Sequence, residues 1–243
     1  PAIVLGYRQL LSLPGPTVDI SNSDDPTPHG GMDVSDLRRS ATGPALERED
    51  LDDDPVLQFE RWFRDACDSD RMDPNAMTLS TVDADNRPAS RTVLLKYFDE
   101  RGLVFFTNLE SRKATHIAGN AHVALLFFWR ELGRQVSIRG TATRIPTRET
   151  LRYFATRPRG SQIGAWVSSQ SSVVSTRSLL EAKFEELKQK FRDKEIPLPS
   201  FWGGYRVTPL EIEFWQGRDN RLHDRFEYTK MPDGTWTIER LAP

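Results

Sequence analysis

Val123-Ala-Leu-Leu-Phe-Phe-Trp129 and Gln135-Val-Ser-Ile-Arg-Gly-Thr-Ala-Thr-Arg-Ile145 decide the fold of this chain. Both runs carry β-forming residues, and Glu131–Arg134 closes them into a hairpin. Working upstream, Leu103–Thr107 reads as a strand, reached by a turn at Asp99–Gly102. Ser90–Phe98 alternates and reads as another strand. Before it, Asp83–Arg87 is a turn after the strand Ala76–Val82. A short helical stretch near Ser111–Ala118 precedes the hairpin. Strands this close together, joined by short turns, favour an antiparallel sheet or barrel.

Helices flank these strands. Asp54 is a good N-cap and Pro55 a good first helical residue, so order is expected to begin there. Val56, Phe59, Trp62, Phe63 and Ala66 recur at helical spacing. Cys67 ends that stripe and reads as a small buried hydrophobe. Downstream of the hairpin, Thr147 can cap a helix over Arg148–Thr156, which Pro158 stops. Ser178–Asp193 reads as an amphipathic helix, with Leu179, Leu180, Phe184, Leu187 and Phe191 on one side. Strands return at Tyr205–Val207, Ile212–Trp215, Arg225–Tyr228 and Trp236–Arg240, with a turn at Pro232–Gly234.

The 243 residues carry a formal net charge of −2, but the charge is uneven. Residues 1–55 hold eleven acids and four bases, and the remainder nets +5. Residues 1–50 read as an acidic, disordered leader, because Pro14, Pro16, Pro26, Pro28 and Gly30–Gly31 interrupt a polar stretch of no sustained period. Met32 is a candidate original start, with residues 1–31 an extension. The mildly basic body, residues 51–243, invites a search for anionic ligands. A lone cysteine rules out an internal disulfide framework. No apolar run reaches the length of a membrane span, and the N-terminus lacks the order of a signal peptide. A soluble, cytoplasmic setting is the default, with no membrane partner.

Several constellations are absent. The chain has no Gly-rich dinucleotide fingerprint, no phosphate loop and no Gly-x-Ser-x-Gly elbow. His29, His116, His122 and His223 lack metal spacing, so no metal is expected. Basic and hydroxyl clusters remain. Arg91 and Lys96 bracket one strand and, five apart, face opposite sides of it, unless both are ordinary surface charges. Ser111-Arg112-Lys113 opens a helix, where two cations oppose the helix dipole unless an anion binds; a fraying surface turn is the plain alternative. Tyr153 and Arg157 share a helix face and, with Ser161, suit a phosphate monoester. Otherwise Arg157 merely complements the dipole. Arg221, His223 and Arg225 alternate onto one face if extended, an unusual setting for a packing histidine.

At these residues the chain resembles the pyridoxine (pyridoxamine) 5′-phosphate oxidase family. The markers are Arg91-Thr-Val-Leu-Leu-Lys96, Phe106-Thr-Asn-Leu-Glu-Ser-Arg-Lys113, Arg157-Pro-Arg-Gly-Ser-Gln-Ile-Gly-Ala-Trp166 and Gln170-Ser-Ser172. Phe201-Trp-Gly-Gly204, Glu213-Phe-Trp-Gln-Gly217, Arg221-Leu-His-Asp-Arg225 and Arg240-Leu-Ala-Pro243 follow in order. The resemblance runs from about Asp54 to Pro243. It implies a mainly β fold with flanking helices, an FMN-binding split β-barrel of antiparallel Greek-key type. It also implies a homodimer with FMN at the subunit interface and shared active sites. The implied reaction oxidises pyridoxine 5′-phosphate or pyridoxamine 5′-phosphate to pyridoxal 5′-phosphate, and O2 is reduced to hydrogen peroxide.

The resemblance also implies roles. Arg91, Thr92, Val93, Leu94, Leu95, Lys96, Phe106, Thr107, Arg112, Lys113, Gln135, Gln170, Ser171, Trp215 and Arg225 would contact FMN. Lys96, Tyr153, Arg157 and Ser161 would hold the substrate phosphate. Arg221 and His223 would lie over the substrate ring as catalytic residues. The Phe106 position is often Tyr in the family, a change that a backbone contact survives. Ala41, in Arg38-Arg-Ser-Ala41, stands where the family's lid segment has Tyr. Two other readings compete: a related flavin oxidase acting on a phenazine precursor, and a non-catalytic protein that binds pyridoxal phosphate or flavin. A nucleic-acid module fits least, since the basic residues are interleaved with turns rather than set in one stripe, and no nucleic-acid partner is expected.

Overall fold

In a computed structural model, the described residues are 43–69, 73–167, 170–171 and 174–243. They belong to one compact unit spanning Ser40–Pro243. Met32, Arg38, Ala41, His29 and Ser172 lie outside the described residues. The elements run α1 (Pro55–Ser69), β1 (Ala76–Val82), β2 (Pro88–Leu94), β3 (Tyr97–Asp99), β4 (Gly102–Asn108), α2 (Arg112–Gly119), β5 (His122–Trp129) and β6 (Arg134–Arg144). Then come α3 (Thr147–Thr156), α4 (Arg159–Val167), α5 (Arg177–Lys190), β7 (Trp202–Gln216), β8 (Asp224–Lys230) and β9 (Trp236–Arg240).

The strands form one antiparallel sheet in the order β2-β1-β5-β6-β7-β4-β3, with β8 and β9 added beyond β7. The sheet curls into a half-barrel, because the backbone changes partners after β2. Leu95 N–H donates to Asn75 O, but the next amide, Lys96 N–H, donates to Val104 O on β4. That switch breaks the expected Ser90–Phe98 strand in two and sends Leu95 into the core. The opposite correction applies to β7. Tyr205–Val207 and Ile212–Trp215 are one strand, because a bulge between Arg139 and Gly140 accommodates Pro209, which has no N–H to donate. Gly140 is required there, since a Cβ would lie 2.3 Å from Thr208 O.

The inner face is filled by α1. Phe59 packs edge-on to Phe98 at 5.0 Å and tilted against Phe127 at 5.1 Å, and Trp62 meets Phe214 edge-on at 5.2 Å. Each fully buried aromatic of this kind contributes about 1.5–3 kcal/mol of burial, which anchors the helix against the sheet. A second core joins α3, α4 and α5 to the start of β7 through Phe154, Ile163, Leu187, Phe191 and Trp202. This core sets the helices beside β4.

Other expectations change. Cys67 is exposed, and Ala66 takes the buried position at the end of the α1 stripe. Leu179 is exposed, so the buried face of α5 narrows to Leu187, with Leu180 and Phe184 partly covered. Pro146, not Thr147, occupies the N-cap of α3. Helix α4 was not expected, because Gly160 and Gly164 obscure its period. Pro158 both ends α3 and starts α4, accepting from the Ser161 and Gln162 amides. Order also begins before Asp54. Leu46 and Leu51 are buried, Gly43 N–H donates to Gly217 O, and Leu46 N–H donates to Asp224. The two leucines bury enough apolar area to hold residues 43–50 on the body despite their acids.

Candidate functional site

A cleft of about 650 Å³ opens where the end of β2, β4, α2 and the α3–α4 pair meet. The partner switch at Lys96 brings its side chain to this cleft beside Phe106 and Thr107 of β4. Strand parity therefore does not decide which way Lys96 faces. Thr92, Val93 and Leu94 form one lip, and Tyr153, Arg157 and Ser161 form the opposite wall. Lys113 and Gln170 close the end nearest α2.

One cationic centre is Lys96 with Arg157. Arg157 follows α3 in extended conformation, which turns its side chain off the helix into the cleft. Burial lowers its affinity for a proton, and burial together with Arg157 lowers that of Lys96. Arg157 Nη1 is buried without a hydrogen-bond partner. Two like charges and an orphaned guanidinium nitrogen together leave a deficit that a bound anion repairs. The Tyr153 hydroxyl, its pKa raised by burial, faces the same space.

The second cationic centre lies at the start of α2. Lys113 Nζ donates to Thr107 Oγ1 at 3.1 Å, Ser111 Oγ at 3.2 Å and Gln170 Oε1 at 2.7 Å. Burial, reinforced by Arg91, pushes the Lys113 ammonium down to about 8. Arg91 is itself fixed to Leu79 O and Thr81 Oγ1. Arg112 N–H donates to Ser171 Oγ, so residues 170–171 sit against the α2 N-terminus. The cation-rich helix start thus has a structural counterpart, a Lys whose charged form is disfavoured by burial and by Arg91. Leu95, by contrast, is in the core and its side chain is not part of the cleft.

The remaining expected residues lie elsewhere. Gln135, Trp215 and Arg225 stand in one register row across β6, β7 and β8. His223 packs on Trp215 with ring centroids 4.5 Å apart, and its Nδ1 accepts from Arg218 N–H at 3.1 Å. Arg221, His223 and Arg225 do not share an extended face. Asn220 and Arg221 take positive φ values of 56° and 62° in a tight turn, and β8 begins only at Asp224. Arg225 is taken by Glu213 in a two-pronged pair at 2.7 and 3.1 Å, and it also donates to Ala242 O. Phe106 pairs opposite Gly204, and Trp215 lies further along the same strand by roughly 36 Å of extended chain. Side chains of the two groups do not converge within one chain.

Trp202, Asn108, Thr156 and Ala165 also line the cleft and had no assigned role. Trp202 lay within a marker segment, but nothing in its spacing points to the cleft. Among the described residues, no group of three or more His, Cys, Asp or Glu side chains could hold a metal. No helix there is long and apolar enough to cross a membrane.

The sequence profile described as Pyridoxamine 5′-phosphate oxidase matches residues 63–191. The profile described as Pyridoxine 5′-phosphate oxidase C-terminal dimerisation region matches residues 202–243. A pyridoxine/pyridoxamine 5′-phosphate oxidase of Crocosphaera subtropica is 62% identical over 214 residues, covering 87% of this chain and all of that one. One from Yersinia enterocolitica is 55% identical, covering 89% and 100%. The crystal structure of PhzG from Burkholderia lata 383, in complex with tetrahydrophenazine-1-carboxylic acid, superposes with a TM-score of 0.78 at 29% identity, covering 83% and 100%. A Nostoc punctiforme structure titled as a pyridoxamine 5′-phosphate oxidase-related, FMN binding protein shares the fold, with a TM-score of 0.66 at 16% identity over 79% of this chain and 100% of that one.

Proposed function

The chain belongs to the pyridoxamine 5′-phosphate oxidase family, and on that premise we propose that it oxidises pyridoxine 5′-phosphate or pyridoxamine 5′-phosphate to pyridoxal 5′-phosphate, with FMN as cofactor and O2 as final acceptor. The observation that carries this reading is that two cationic centres line one cleft, neither of them ion-paired to a carboxylate among the described residues. Cofactor and substrate each bring one phosphate. FMN, when bound, would supply the two-electron acceptor, with O2 as the final oxidant and hydrogen peroxide as its product.

The chain's own residues divide the work. Lys113, Thr107, Gln170, Arg112, Ser171 and Arg91 fit the cofactor phosphate, and Thr92–Leu94 with Phe106 fit beside it. Lys96, Tyr153, Arg157 and Ser161 clamp the substrate phosphate. Holding a group remote from the reacting carbon fixes orientation, so binding energy there aligns the reacting atoms. Arg221 and His223 act over the substrate ring, and Gln135, Trp215 and Arg225 face the cofactor, all from the other subunit of a homodimer. The distance between the two groups within one chain supports that arrangement. So does exposed Phe128, which lies opposite Gln135 on the same face of the sheet. A cytoplasmic location goes with this reading.

The 62% identity to a vitamin phosphate oxidase, against 29% to PhzG, and a wall able to clamp a phosphate favour this substrate over a phenazine precursor. Purified protein is expected to be yellow. Anaerobic addition of pyridoxine 5′-phosphate should bleach its visible flavin bands, and air should restore them with release of peroxide. A protein that takes up no FMN, or is not bleached, refutes the proposal.

FMN affinity should also depend on pH through Lys113. An anion favours the charged ammonium, which in the free protein begins to lose its proton at about 8. Affinity should therefore be level below pH 8 and fall by up to about tenfold per unit above it, until the raised pKa of the complex is reached. Flavin fluorescence quenching between pH 7 and 9.5 measures this. Lys113→Met should weaken binding and flatten the profile; an unchanged slope excludes Lys113 as the titrating group.

A further inference from the structure

Arg157 is held in an unusual way. A buried guanidinium is ordinarily fixed by a carboxylate. Here, among the described residues, burial rather than an acid dominates the electrostatics of Arg157, and its Nη1 has no hydrogen-bond partner. Its guanidinium carbon instead lies 4.7 Å from the centre of the Trp202 ring. Trp202 is itself 8% exposed and fixed on its edge by Phe154 at 5.3 Å. The same indole stacks on Phe106 at 5.2 Å with an interplanar angle of 8°, and Phe106 stacks on Tyr153 at 4.1 Å. One aromatic pile therefore carries both Tyr153 and Arg157.

We propose that Trp202 is a positioning residue that sets the preference for phosphorylated ligands, by holding Arg157 on a π face instead of a carboxylate. The physical advantage is charge. A carboxylate would fix the guanidinium but neutralise it and compete with the incoming phosphate. An aromatic face contributes about 0.5–2 kcal/mol of cation–π attraction and leaves all five N–H donors and the full charge free. This inference rests on the functional reading above, which places a substrate phosphate at Arg157.

The test is equilibrium dialysis of pyridoxal 5′-phosphate, and separately of pyridoxal, against the FMN-loaded protein. Trp202→Leu should lower affinity for pyridoxal 5′-phosphate about tenfold and leave pyridoxal and FMN affinity within twofold. Trp202→Phe, which keeps a smaller face, should recover most of the loss. In an Arg157→Ala background, Trp202→Leu should add less than twofold, since the two act as one unit. Equal losses for both vitamers, or a full further loss in the Arg157→Ala background, would overturn the inference. If Trp202→Leu does not fold, Arg157→Lys carries the test. It keeps the charge but loses the planar stack, and wild-type affinity in that variant overturns the idea. A wild-type protein that binds no pyridoxal 5′-phosphate overturns the functional reading and this inference together. A wild type that binds while the Trp202 variants match it overturns the inference alone.

Discussion

Arg157→Ala is expected to raise KM for pyridoxine 5′-phosphate about a hundredfold while changing kcat far less. A charge-assisted hydrogen bond to phosphate contributes about 1.5–3 kcal/mol, and each 1.4 kcal/mol is tenfold in binding. The upper half of that range applies, because Arg157 is half-buried, ion-paired with no acid among the described residues and has an orphaned Nη1. The substitution also relieves the repulsion that depresses Lys96, which returns part of the loss. The effect falls on KM because the phosphate is remote from the bond being oxidised. Steady-state kinetics with the phosphorylated substrate measure it. An unchanged KM would remove Arg157 from the clamp.

Arg221→Ala and His223→Ala are each expected to lower kcat by about 10²–10³, the usual cost of losing a charge-stabilising or proton-handling group at the reacting atoms. These residues lie far from the cleft of their own chain, so their defect should be repaired by a second chain. Equal mixing of Arg157→Ala and His223→Ala subunits gives about half heterodimers, each with one intact site. With substrate held well below the wild-type KM, where both parent variants are nearly inactive, activity should then return to roughly a quarter of wild type. Mixing after brief denaturation and refolding, with the unmixed variants as controls, provides the measurement. Recovery no greater than the average of the two parents would show that each site is built from one chain.

Much of the β architecture was legible because it is local. Period-two runs and short turns at Ala76–Val82, His122–Trp129 and Arg134–Arg144 survive in the folded sheet nearly as read. Misreadings occur where a partner strand overrides local pattern. Lys96 bends because Val104 accepts its amide, and Pro209 stays within β7 because Gly140 yields across from it. Cys67 and Leu179 show the same limit for helices: spacing predicts a stripe, but only the packed surface decides how wide it is. Helix α4 escaped notice because two glycines thin its apolar period.

The residue types by themselves determined an antiparallel β body, an uneven charge and a set of basic and hydroxyl clusters suited to phosphate. They did so because strand period, turn chemistry and ionisation are properties of short segments. Which clusters share a cleft was decided only by tertiary structure. Arg157, Lys96 and Lys113 meet because the sheet curls and α3 packs on β7. Arg221, His223 and Arg225, adjacent in sequence, part company because a positive-φ turn and Glu213 divide them. Proximity in space depends on register and packing between distant segments, and no local pattern encodes it. The π-face mounting of Arg157 on Trp202, 45 residues away in the chain, is of that kind.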